Sequence, residues 1–172
     1  MNLLLDIQSA STEPVPEEDD IRRWIAAALN SQQPACTDAD ISLRLVDSDE
    51  MATLNATYRG KPGPTNVLSF PADLPADVQL PFLGDIVICA PVVRKEATEQ
   101  SKTLTAHWAH MAVHGTLHLL GYDHENDEEA SAMEALESRI LKQLDFACPY
   151  AAETATPGAG DSSDQSTPEH TT

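Results

Sequence analysis

Five of the six histidines in this 172-residue chain fall between His107 and His124. Their core reads His114-Gly115-Thr116-Leu117-His118-Leu119-Leu120-Gly121-Tyr122-Asp123-His124. At about 3.6 residues per turn, His114 and His118 stand one above the other on a helix face, and two imidazoles so placed can grip one metal ion. Gly121 can adopt the left-handed conformation that ends a helix. The chain can then turn back and present His124 to the same ion. Three protein ligands leave a fourth position for water, the arrangement of a catalytic zinc site rather than a structural one. A lone histidine is usually just a hydrogen-bonded polar residue, and a pair four apart is suggestive only. Three in this spacing around a glycine point to metal. The expectation is one zinc ion per chain on His114, His118 and His124, with nickel or copper able to use the same donors.

The spacing H-x-x-x-H-x-x-G-x-x-H is that of metzincin peptidases. Those enzymes carry Glu directly after the first His, as the general base that activates water. Here that position is Gly115. A peptidase without this base is badly impaired, so peptide hydrolysis recedes while the metal site stands. His107 and His110 precede His114 by seven and four residues and fall on or near the same face. His110 can be an orienting neighbour or an alternative ligand; the plainer expectation for both is a polar residue at the edge of a cleft. Asp123 and Glu125 can orient the His124 ring, although an exposed acidic turn accounts for them equally well. A second cluster, Tyr58-Arg59-Gly60-Lys61, sets two cations beside Pro62-Gly63-Pro64-Thr65-Asn66. Arginine matches phosphate oxygens with a planar fork and lysine supplies a point charge. A phosphate site and a charged surface turn are equally consistent with this loop.

These side chains need elements to hold them. Leu3, Leu5 and Ile7 alternate as in a strand. Pro16 can open a helix at its first position, followed by the acids Glu17 to Asp20 and the apolar stripe Ile21, Trp24, Ile25 and Ala28. Ile41, Leu43 and Leu45 mark a half-buried strand. Ser48 is placed to cap a short helix carrying Met51, Leu54 and Tyr58. The run from Arg59 to Pro64 reads as loop, because Gly and Pro interrupt both regular structures. Val67 to Phe70 is a short strand, Pro71 to Pro81 a loop, and Gly84 to Ala90 a nearly continuous apolar strand suited to the centre of a sheet. A helix follows Pro91 through Val92, Val93 and Ala97. The next, capped by Thr103, carries His114 and His118 and stops near Gly121. In the last, Asn126 and Glu129 form a capping box over the stripe Met133, Leu136, Ile140 and Leu144. The order reads as α+β: a single domain with a small mixed sheet packed with helices, its metal site on a helix and the turn after it.

Composition bounds the function. Lys and Arg total 10 against 28 Asp and Glu, a formal net charge of -18. A generally basic nucleic-acid coat is excluded, because counterion release needs Lys or Arg at the phosphates. An enzyme with a local basic or metal-centred site is not. No apolar run approaches the roughly 20 residues of a membrane span. The start, Met1-Asn2-Leu3-Leu4-Leu5-Asp6, is too short and lacks the basic residues of a signal peptide. Cys36, Cys89 and Cys148 are odd in number and far apart, with no disulfide framework. A cytoplasmic protein is expected. From Ala147 to Thr172 there is no Lys, Arg, Leu, Ile, Val or Phe. Such a stretch cannot bury enough apolar surface to offset its ordering entropy, so residues 1–146 are expected to fold and 147–172 to form a disordered acidic tail.

Arg59-Gly60-Lys61, Pro64-Thr65-Asn66-Val67-Leu68-Ser69-Phe70-Pro71, Leu83-Gly84-Asp85-Ile86-Val87-Ile88, Glu96-Ala97 and His114 to His124 occur in one order. In these motifs the chain resembles the YbeY family of bacterial rRNA maturation factors, described as metal-dependent endoribonucleases. The likeness spans essentially Met1 to Tyr150. It implies a single α+β domain, zinc on three histidines, and cytoplasmic action on ribosomal RNA, at the 3′ end of 16S rRNA and in quality control of the small subunit. It also implies that Arg59 matters for activity, with His114 the second residue expected to be catalytic. With so acidic a chain, substrate delivery is expected to involve ribosomal RNA within the small ribosomal subunit and its proteins, or an Era-type assembly GTPase. The rival expectation is a non-catalytic ribosome-assembly factor with a structural zinc site. Single-stranded RNA is usually read by stacking on aromatics. Only Tyr58, Phe70, Phe82 and Tyr122 lie near the motifs, so weak sequence specificity is expected.

Overall fold

A computed structural model describes residues 2–31, 38–72, 82–122 and 126–146. The element order is β1 (Asn2–Ser9), α1 (Glu18–Asn30), β2 (Asp38–Val46), α2 (Ser48–Arg59), β3 (Val67–Pro71), β4 (Phe82–Cys89), α3 (Ala90–Glu99), α4 (Leu104–Leu119) and α5 (Asp127–Gln143). The chain divides into two compact units, Met1–Asp123 with the sheet and α1 to α4, and His124–Thr172 with α5.

The four strands form one mixed sheet in the order β1-β2-β4-β3. β1, β2 and β4 run parallel, and β3 is antiparallel to β4. A parallel neighbour cannot be reached by a tight hairpin, so α1 carries the chain from β1 to β2. β4 is an interior strand, as its continuous apolar run requires, and it begins two residues earlier than the sequence suggests, at Phe82. In β2, Ala39, Ile41, Leu43 and Leu45 are buried, each at or below 1% exposure. Each of the isoleucine and leucine side chains contributes about 1.5–3 kcal/mol by leaving water.

The two faces of the sheet have different cover. On one, α4 lies close to β3 and β4: a Cβ built on Gly115 would stand 2.9 Å from Ile86 Cγ2 and 3.3 Å from Val67 Cγ2. On the other, Met51 and Leu54 of α2 pack with Leu68, Val87 and Cys89. α1 packs against α4 and buries Ile21, Trp24, Ile25 and Ala28, the stripe legible in the sequence. In the second unit, α5 buries Met133, Leu136 and Ile140, and the Asn126 side chain accepts the Glu129 N–H at 2.8 Å. Such a cap contributes about 1 kcal/mol.

Besides the start of β4, three boundaries around α1 and α2 differ from the sequence expectation. α1 begins at Glu18, not at Pro16, because Glu17 is the extended N-cap whose carbonyl takes the first helical N–H groups. Ser48 is the first residue of α2 and Asp47 its N-cap; the Asp47 carboxylate turns away to accept hydrogen bonds from Ser11 and Thr12. Arg59 is helical rather than in a loop, because the stop is Gly60, at φ +65°. The loop 73–81, Cys36, Asp123, His124, Glu125 and the tail 147–172 lie outside the described residues. Among the described residues, no helix is long and apolar enough to cross a membrane.

Candidate metal centre

α4 is an unusual helix: mostly apolar, buried along most of its length, and carrying four histidines. Its ends are fixed locally. Thr103 accepts the Ala106 N–H at 3.1 Å at the start. At the finish, Gly121 at φ +103° donates to the His118 carbonyl and Tyr122 donates to the Leu117 carbonyl. This is the paired closure of a Schellman turn, and glycine meets its positive φ without a Cβ penalty. The helix therefore stops where the histidine spacing requires.

His114 and His118 are half-buried, with ring centroids 4.6 Å apart and their Nε2 atoms 3.1 Å apart. Two nitrogens on a tetrahedral zinc ion, each at about 2.0–2.1 Å, stand about 3.3 Å apart. The observed separation is close to that figure, and neutral imidazole is a donor zinc favours. His114 and His118 are thus adjacent on one face of α4. The third expected ligand, His124, lies outside the described residues. His110 brings one ring nitrogen within 4.8 Å of one on His114. His110 and His114 belong to a group of side chains able to hold a metal ion.

His107 and His110 are not polar residues at the rim of a cleft. They are buried, 1% and 8% exposed, and belong to a polar chain that runs across the α3–α4 turn. Glu96 on α3 accepts from His107 Nε2 at 2.8 Å and from Asn66 Nδ2 at 3.1 and 3.2 Å. The Lys102 ammonium lies 3.1 Å from His107 Nδ1 and 3.2 Å from His110 Nδ1. An ammonium only donates, so both Nδ1 atoms accept and the ring hydrogen of each histidine sits on Nε2. Burial pushes the Glu96 carboxyl up, but the hydrogen bonds from His107 and Asn66 and the nearby Lys102 ammonium outweigh it and hold the group below its ordinary value. Sequence reasoning missed this chain. Its one signal was Glu96-Ala97, a motif without an assigned task.

Arg59 ends α2 and is exposed, as is Lys61. Arg22, Arg23, Arg44 and Arg94 are all ion-paired, whereas Arg59 has no such partner among the described residues. The loop after it is pinned. Asn55 Nδ2 donates to the Gly63 carbonyl at 2.9 Å, and the Asn66 carbonyl accepts from Cys89 N at 2.9 Å. Gly115 is explained by packing: its Cβ position is occupied by the sheet, so a glutamate there has no room.

The family model described as endoribonuclease YbeY matches residues 6–145. The chain belongs to the YbeY family. The endoribonuclease YbeY of Cellvibrio japonicus is 55% identical over 146 residues, 85% of this chain and 81% of its own length. The solution structure of TM1509 from Thermotoga maritima superimposes with a TM-score of 0.55 at 26% identity, over 82% of this chain and 89% of that one. Family membership puts the chain among nucleases, hydrolases of phosphodiester bonds.

Proposed function

We propose that this protein is a zinc-dependent endoribonuclease that cuts single-stranded RNA and acts in ribosomal RNA processing, at the 3′ end of 16S rRNA and in small-subunit quality control. The observation that carries the reading is the 3.1 Å approach of His114 and His118 Nε2 in a YbeY-family chain. His114, His118 and His124 would hold the ion. Zinc, when bound there, supplies Lewis acidity at phosphoryl oxygens and acidifies water near neutral pH. The residues of the chain do the rest. Arg59, with no ion-pair partner among the described residues, presents its planar fork to a phosphate and stabilises charge as it develops in the transition state. Lys61 adds a point charge two residues on. Lys102, against the His107 and His110 rings, steadies the histidine helix from behind, as outer hydrogen bonds do at metal sites. RNA brings its own 2′-hydroxyl, so the lack of a glutamate at position 115 weighs less on an RNase than on a peptidase.

With a net charge of -18, tight independent RNA binding is not expected. The reading therefore includes delivery of the substrate in the small ribosomal subunit, helped by its proteins or by an Era-type assembly GTPase, in the cytoplasm. The test is cleavage of a defined single-stranded RNA by zinc-loaded protein beside Arg59→Ala and His114→Ala. Cleavage should fall about a hundredfold or more in both, with zinc retained in the first and weakened in the second. Equal cutting by all three proteins would assign the activity to a contaminant. The rival, a zinc-stabilised assembly factor, is favoured if none of them cuts yet wild type alone restores rRNA processing in cells.

A further inference from the structure

The sheet face opposite α4 holds a cavity of about 490 Å³ that the reading above does not use. Ser42, Asp85 and Phe70 lie in one register row across β2, β4 and β3, and Arg44 and Val87 occupy the next row. Leu54 and Tyr58 of α2 form the wall. Tyr58 is 64% exposed, unusual for a large ring, and meets Phe70 edge-on at 5.3 Å between centroids. The floor carries no free positive charge. Arg44 is committed to Glu50 through two nitrogens and to Gln8 through the third, while Asp85 is an exposed acid.

We infer that this groove is a nucleobase subsite, in which a base of single-stranded RNA stacks on the face of Tyr58 next to the phosphate held by Arg59. The inference rests on the endoribonuclease reading and names a substrate-binding residue for it. Three features favour a base over other occupants. The volume suits a ligand of small-molecule size rather than a peptide surface. An edge-on aromatic pair leaves the exposed ring face open for stacking, the usual means of holding unpaired bases. The carboxylate of Asp85 and the hydroxyl of Ser42 match the N–H groups on a base edge, whereas the exposed acid repels a phosphate and Arg44, held by Glu50 and Gln8, offers it no free fork. The phosphate instead finds its cation one residue along the chain, because Tyr58 and Arg59 are consecutive at the end of α2. Two of the four aromatics near the sequence motifs thus come together as one platform.

The experiment measures binding of short labelled single-stranded RNAs by the full-length zinc-loaded protein, together with steady-state cleavage of the same RNAs. Tyr58→Ala should weaken binding and raise KM about tenfold, the loss of one stack, with the effect on KM rather than kcat. Tyr58→Trp should restore both. In a series of RNAs with a single abasic residue at successive positions, one member should bind wild type as weakly as intact RNA binds Tyr58→Ala, and that member should no longer distinguish the two proteins. Tyr58 is exposed, and an unchanged melting temperature verifies the fold of the variant. Unchanged binding and KM in Tyr58→Ala would overturn the subsite while cleavage by wild type leaves the nuclease reading intact. Tyr58-dependent binding without any cleavage would keep the subsite and remove the nuclease.

Discussion

His114 and His118 show what spacing alone can fix. A four-residue interval puts two imidazoles on one helix face, and the rotamers of this pair bring their Nε2 atoms to 3.1 Å, with ring centroids at 4.6 Å against 6.3 Å for His110 and His114 at the same interval. Removing both donors, in His114→Ala with His118→Ala, should take the metal content from about one equivalent to near zero, measured by elemental analysis of protein purified in zinc. Gly115 was legible as a missing base, but its reason was not. The residue is small because α4 rides on Ile86 and Val67, a contact between elements distant in sequence. Installing the metzincin residue, Gly115→Glu, should therefore create no peptidase. It should instead destabilise the fold by about 3 kcal/mol or more, from overpacking and a buried carboxylate, read as a large drop in the urea midpoint. A variant of wild-type stability would show that α4 does not sit this close to the sheet.

At the scale of elements, the helix stops matter most. Gly60 and Gly121 end α2 and α4 in left-handed backbone, at φ +65° and +103°, with open space where a Cβ would go. The cost of a side chain there is conformational rather than steric. Gly121→Ala should lose about 1–2 kcal/mol and weaken zinc retention by loosening the last turn under His118; thermal melts with and without a chelator read both. Equal stability would mean that α4 does not need its Schellman closure. Alternation and apolar periodicity made all four strands and five helices visible in the sequence, because burial on one face imposes period 2 or 3.6. Starts and stops were less visible. Asp47 looks no more like a cap than Ser48 until Ser11 and Thr12, from a distant segment, are seen to claim its carboxylate. The Asn66–Glu96–His107–Lys102 chain was hidden for the same reason: its members come from the α2–β3 loop, α3, the α3–α4 turn and α4, and only the fold puts them within 3.2 Å of one another.

For the molecule as a whole, that buried chain predicts acid lability. Glu96 is held below its ordinary value, so its hydrogen bonds add stability above the usual carboxylate range, and that stability is lost as pH falls through its own lower value. Unfolding midpoints between about pH 3 and 7 should show a steeper acid loss in wild type than in Glu96→Gln, which has no carboxylate to protonate; parallel curves would deny Glu96 that part. Residues 147–172, which lack every large aliphatic, should be dispensable: their deletion should leave melting temperature and metal content unchanged, and a clear loss would show that they dock. The central claim is that the α4 histidines make the protein a metal-dependent endoribonuclease. It is tested most directly by titrating zinc into metal-free protein while following cleavage of a single-stranded RNA. Activity should rise from baseline and saturate at about one zinc per chain, and the double variant His114→Ala, His118→Ala should stay at baseline throughout. Full cleavage by metal-free wild type, or equal cleavage by the double variant, would contradict the account.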